Sequence, residues 1–161
     1  MPALKDRRDA PALPAIGDTR ARPVILATLS VRVDPSAERM AIESALEAGV
    51  PLVVANMLRL PAWPTTVGLG GPGAAVLPHE EDLEEVRATA RRAAELGIKT
   101  ELLRIFSRRP ISALLEIVSE RDPGLLVLGP DLDRTSSRRL RRVARRVRKG
   151  VGCLVWVAPD G

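Results

Sequence analysis

Three hydroxyl residues in a row, Thr135, Ser136 and Ser137, stand directly before two arginines, Arg138 and Arg139. Hydroxyls of this kind cap helix N-termini, where unpaired amides and the helix dipole favour negative charge. Guanidinium groups add charge-assisted hydrogen bonds to phosphate or carboxylate. Gly129 lies just upstream, where a missing side chain lets backbone amides come close to a ligand. The set Gly129, Thr135, Ser136, Ser137, Arg138 and Arg139 therefore marks a candidate site for an anionic, phosphate-type ligand. The plainer alternative is that the hydroxyls only cap a helix and the arginines only solvate its outer face. Asp131 and Asp133, immediately upstream, oppose the positive field or pair with Arg134 and its neighbours.

The same region holds most of the positive charge. Of a net charge of +5, the segment from Arg134 to Lys149 contributes +9 with no acid among its residues, which leaves −4 for the remainder. Such a helix can attract nucleic acid non-specifically by neutralising phosphates. Base stacking is poorly supplied, because the chain has two tryptophans, one phenylalanine and no tyrosine. A solvated arginine face, paired in part to acids of a neighbouring helix or subunit, is the competing reading of 134–149. Its apolar stripe is too narrow for a lipid anchor.

Other motifs carry less. Gly68-Leu-Gly-Gly-Pro-Gly73 fits G-x-G-x-x-G, but it follows Pro61, Trp63 and Pro64 and opens no helix, and Pro72 lacks an amide for phosphate. A surface loop over 59–79 is the expectation, either a lid carrying Trp63, a partner contact, or a disordered stretch. His79 precedes an acidic run that complements a helix dipole. With one histidine and one cysteine, zinc clusters and an internal disulfide are excluded, and no catalytic triad or metal site is expected. Cys153 reads as a small hydrophobe in an apolar strand. Trp156 belongs in the core or in a seam between two copies.

The elements that must position these residues alternate between short aliphatic runs and longer amphipathic ones, the pattern of parallel strands joined by crossover helices. Strands are expected at 24–29, 51–58, 99–106, 125–129 and 152–158. Helix 35–48 starts at Asp34-Pro35, carries a small-residue face of Ala37, Ala41, Ala45 and Ala48, and stops at Gly49. A second helix runs from Glu80 to Leu96 on Leu83, Val86, Ala90, Ala93 and Ala94, and ends at Gly97. Ile111, Leu114, Leu115 and Val118 mark a third, and Leu140, Val143, Ala144 and Val147 a fourth. Right-handed crossovers give one doubly wound, five-stranded parallel α/β sheet.

At 161 residues the chain suits a single domain. Residues 1–22 are expected to form a disordered tail and 23–158 the folded unit. No window is apolar enough to span a membrane, and the acids and prolines at the start argue against a secretory signal. The composition predicts a cytoplasmic protein.

The stretch from Pro110 to Gly129, PISALLEIVSERDPGLLVLG, resembles the universal stress protein family. There a proline opens a helix, an Ala-aliphatic-aliphatic-Glu run follows, and an aliphatic strand ends in glycine. Cys153-Leu-Val-Trp-Val157 is similar to that family's last strand, and element order agrees over about 23–158. The resemblance implies a flavodoxin-like, Rossmann-like sheet of order 3-2-1-4-5, a homodimer paired through the last strand, and a stress-response or regulatory role without catalysis. One subgroup binds ATP through Gly-x2-Gly-x9-Gly-Ser/Thr after strand 4. Here Gly129 matches the first glycine, Leu132 replaces the second, and Arg141 or Arg142 stands near the third. Leu29 or Ser30 occupies the place of an acid after strand 1. The motif is degenerate, so the expected ligand is ATP or another anion held without the complete glycine set. Two alternatives accompany this reading. Nucleotide hydrolases and nucleotidyl transferases share the topology, although neither a Ser-Gly-Gly-x-Asp-Ser loop nor a His-x-Gly-His element is present. A nucleic-acid accessory protein would use the basic helix 134–149. An unidentified protein partner is also expected.

Overall fold

A computed structural model describes residues 21–29, 32–60, 80–130 and 135–159. The bulk of the N-terminal tail lies outside the described residues. So do Ser30, Trp63, the glycine-rich stretch 68–73, His79 and 131–134. Five strands, β1 (Val24–Thr28), β2 (Leu52–Arg59), β3 (Thr100–Ser107), β4 (Leu125–Leu128) and β5 (Leu154–Val157), alternate with four helices. The helices are α1 (Pro35–Ala48), α2 (Glu80–Glu95), α3 (Pro110–Arg121) and α4 (Ser137–Gly150). The sheet is wholly parallel, as the aliphatic runs predicted, and its order is β3-β2-β1-β4-β5, the one the family resemblance implied.

Right-handed crossovers set α1 and α2 on one face and α3 and α4 on the other. Strands covered on both faces must be apolar on both. Val24, Leu26, Leu52, Val54 and Val127 meet Ala37, Ala41, Ala45, Val86 and Ala93. Ile25, Ala27, Val53, Ala55, Leu126 and Leu128 meet Leu114, Val118, Ala144 and Val147. Trp156 is partly buried and packs against the first of these clusters. Ala48, expected on the small-residue face of α1, and Ala94, expected in the buried stripe of α2, are exposed, while Thr89 is buried in α2. The stripes drift because a helix turns 100° per residue and only the contacting arc is covered.

Helix ends follow local chemistry. The Asp34 carboxylate accepts from Ser36 N at 2.9 Å and Ala37 N at 3.1 Å, and Pro35 supplies the first helical residue of α1. Gly49 terminates it at φ 62°, in the left-handed region that favours glycine. α3 ends instead on Asp122 at φ 43°, whose N–H reaches Val118 O at 3.0 Å. Arg22 donates to the Asp122 carboxylate at 2.8 Å, which fastens the residues ahead of β1 to the end of α3. β5 is shorter than expected, so Cys153 stands just ahead of it and is only partly buried.

Acids and arginines of the α1/α2 face are largely paired. Glu38 accepts from Arg92 Nε at 2.6 Å and Nη2 at 2.9 Å, and from Thr89 Oγ1 at 3.1 Å, which ties α1 to α2. That hydrogen bond raises the Arg92 pKa above its ordinary value against the opposing effect of burial. Arg121 grips Glu101 with two nitrogens at 2.9 and 2.8 Å, joining α3 to β3.

Candidate functional site

In a doubly wound sheet, ligands collect beyond the carboxyl ends of the strands, where successive crossovers leave in opposite directions. Here that switch lies between β1 and β4. A cleft of about 670 Å³ opens there, within the size range of small-molecule sites. Its apolar floor includes Leu29 from the end of β1, Ile111 from α3, Pro130 after β4, and Leu140 and Val143 from α4. Its polar side chains are Ser112, Thr135 and six arginines: Arg59, Arg108, Arg109, Arg139, Arg142 and Arg146.

Each arginine arrives for a local reason. Arg59 is the last residue of β2. Arg108 and Arg109 fill the short junction that turns β3 into α3, and Pro110 fixes the helix start immediately after them. Arg139, Arg142 and Arg146 recur at i, i+3 and i+7 on one face of α4, interleaved with Leu140 and Val143. Arg146 Nη2 donates to Ser112 Oγ at 3.5 Å, linking α4 to the first turn of α3.

Among the described residues, no carboxylate lies within 4.0 Å of any of these six guanidiniums, unlike Arg92 or Arg121 elsewhere. The described lining contains no Asp, Glu, His, Asn or Gln. Like charges crowd each other there, and Arg138 and Arg139 occupy the first turn of α4, where the helix dipole disfavours cations. The guanidiniums are exposed, so the field they create is screened by salt. Among the described residues, the lining supplies donors, hydroxyls and an apolar floor, but no side chain suited to remove a proton from Ser112 or Thr135.

The six residues singled out in the sequence separate. Thr135 and Arg139 line the cleft. Ser136 is the N-cap of α4, its Oγ accepting from Arg139 N at 3.3 Å. Ser137 and Arg138 begin the helix, exposed and outside the lining. Gly129 is buried with its N–H on Ala27 O at 2.9 Å, and a Cβ there would stand 2.6 Å from Ala37 Cβ. Its missing side chain thus allows α1 to approach β4 closely. Sequence reasoning missed Arg59, Arg108, Arg109, Arg142 and Arg146 as a group. The signal was the placing of cations at the carboxyl ends of two other strands, which the sheet order brings beside α4. Of the residues tied to the degenerate motif, Leu29 lines the cleft, while Leu132 lies outside the described residues.

The arrangement is that of a flavodoxin-like α/β protein with an arginine-lined cleft at its topological switch point. Residues 21–159 match the universal stress protein family, and the chain belongs to that family. Among solved structures, a universal stress protein in complex with cAMP is similar at 17% identity and a TM-score of 0.57, over 88% of this chain and 99% of that one. The universal stress protein from Archaeoglobus fulgidus in complex with dAMP is 23% identical, with a TM-score of 0.52 over 86% of this chain and 98% of that one. A family protein from Burkholderia pseudomallei is 22% identical, with a TM-score of 0.55 and coverage of 89% and 99%. No curated protein matches the chain significantly. Among the described residues, no helix is long and apolar enough to cross a membrane.

Proposed function

We propose that this chain is a non-enzymatic stress-response or regulatory protein that binds a phosphate-bearing ligand in the six-arginine cleft. The observation that carries this reading is the convergence of Arg59, Arg108, Arg109, Arg139, Arg142 and Arg146 on one cleft without a described carboxylate among them. Guanidiniums of this kind suit phosphate oxygens, to which each can donate two parallel hydrogen bonds. That two structures of similar fold hold cAMP and dAMP supports a ligand of this chemistry. Thr135 and Arg139 contact the anion, Ser136 and Ser137 shape the helix start, Arg138 adds to the field, and Gly129 sets the depth at which β4 meets α1. The ligand is ATP or another phosphate-bearing anion, and the lining binds it rather than transforms it.

The protein acts as a homodimer paired through β5. Leu154 on that strand is 75% exposed at the sheet edge, and an open edge of this kind favours pairing with a second copy.

Titration calorimetry of the full chain with AMP, ATP and orthophosphate tests the ligand reading. Binding is expected to weaken as salt rises, and to fall by about tenfold or more in an Arg109→Gln/Arg142→Gln variant whose circular dichroism is unchanged. Absence of binding by all three anions at low salt overturns the proposal, and turnover of ATP would replace it with an enzymatic one.

A further inference from the structure

The described lining of the cleft is nearly donor-only. A guanidinium donates hydrogen bonds and accepts none. Among the described residues, Ser112 and Thr135 bring the only side-chain acceptors of the lining, and Ser112 Oγ already receives Arg146. No aromatic ring lines the described wall. Among the described residues a nucleobase would therefore find neither an uncommitted carboxylate or amide for its amino group nor an aromatic stacking platform, whereas linked phosphates present acceptors alone.

Charge gives the second argument. One phosphate monoester carries about −1.5 to −2 near neutral pH, far short of the six positive charges on the wall. The guanidiniums also come from separate elements, the end of β2, the β3–α3 junction and three successive turns of α4, so a single phosphate cannot engage all of them. From these observations we infer that the cleft selects a chain of two or more linked phosphates and is indifferent to the nucleoside it carries. This inference rests on the anion-cleft reading above and narrows its ligand class. A rigid duplex would present its phosphates to the outer residues of α4, such as Arg141 and Arg145, and would not fill the hollow between α3 and α4.

The test is competitive titration of the full chain, at constant ionic strength and without divalent cations. The probes are orthophosphate, pyrophosphate, tripolyphosphate, AMP, ATP, GTP, adenosine and a short DNA duplex. Affinity is expected to rise about tenfold with each added phosphate, with tripolyphosphate, ATP and GTP within about threefold of one another and adenosine silent. Arg59→Gln, on the exposed end of β2, is expected to cost tripolyphosphate about tenfold and orthophosphate about twofold, since only the longer chain spans both walls. Binding of adenosine, or ATP exceeding tripolyphosphate by more than about tenfold, overturns base indifference and leaves the anion cleft standing. A duplex that displaces tripolyphosphate reassigns the arginines to nucleic acid. Failure of every anion to bind sinks both readings together.

Discussion

Replacing Gly129 by alanine tests how closely α1 is seated on the sheet. The added Cβ would lie 2.6 Å from Ala37 Cβ and 3.7 Å from Asp34 Cβ. Carbon atoms in contact prefer about 3.5–4.0 Å, so the overlap with Ala37 is on the order of 1 Å. Neither atom is the free end of a flexible chain. Relief requires α1 to lift from β4, and overpacking of this kind costs about 1–3 kcal/mol. Alanine recovers about 0.4–1 kcal/mol by restricting the unfolded chain, which leaves a net loss of about 1–2 kcal/mol. For a domain of this size that corresponds to a melting temperature lower by about 2–8 °C. Ala37→Gly alone forfeits about 1 kcal/mol of helix propensity. Together the two substitutions restore the original spacing, so their effects should fall short of additivity by at least about 1 kcal/mol. Urea denaturation of the four proteins provides the measurement. A midpoint for Gly129→Ala at or above that of the parent, or strict additivity in the cycle, would refute the packing argument. If Gly129 instead serves a phosphate directly, the double variant will fold well and still lose tripolyphosphate.

Two further outcomes are expected. Ala158 N reaches Leu128 O at 2.9 Å, so alternation along β5 turns the Val155 N–H toward the open edge, and Val155→Pro should yield a folded monomer by sedimentation; an unchanged dimer refutes pairing there. Loss of solvent at Cys153 pushes its thiol pKa up, so the unfolded chain ionises first as pH rises past about 8.5, and stability falls there. Cys153→Ala should flatten the decline of the urea midpoint between about pH 8.5 and 10, and an identical slope in parent and variant would contradict this.

The five parallel strands and all four helices were legible because each strand is built on a short, largely aliphatic run and each helix begins or ends on an explicit signal, such as Asp34-Pro35 or Gly97; the strand order came from the family resemblance. Boundaries moved by a residue or two where pairing extends past the apolar run, as at Arg59 and Ser107, which are register partners. The site was legible only in its α4 half. Nothing in the local sequence singles out Arg108 and Arg109; the crossover brings them to the same cleft as Arg142 and Arg146, a proximity fixed by topology rather than by local spacing. Gly129 was noticed for its missing side chain, yet the neighbour that demands it, Ala37, lies on a distant part of the chain. Asn56 shows a similar limit. It interrupts the apolar run of β2, is fully buried, and its side-chain amide has no hydrogen-bond partner among the described residues.

The uneven placing of charge reaches beyond the cleft. α4 carries eight cations and no acid, whereas α1 and α2 across the sheet each carry more acids than bases. The molecule is thus an electric dipole with its positive pole over α4. A small anion diffusing nearby is turned toward that pole before contact, so its capture rate, and not merely its residence, should slow as ionic strength rises.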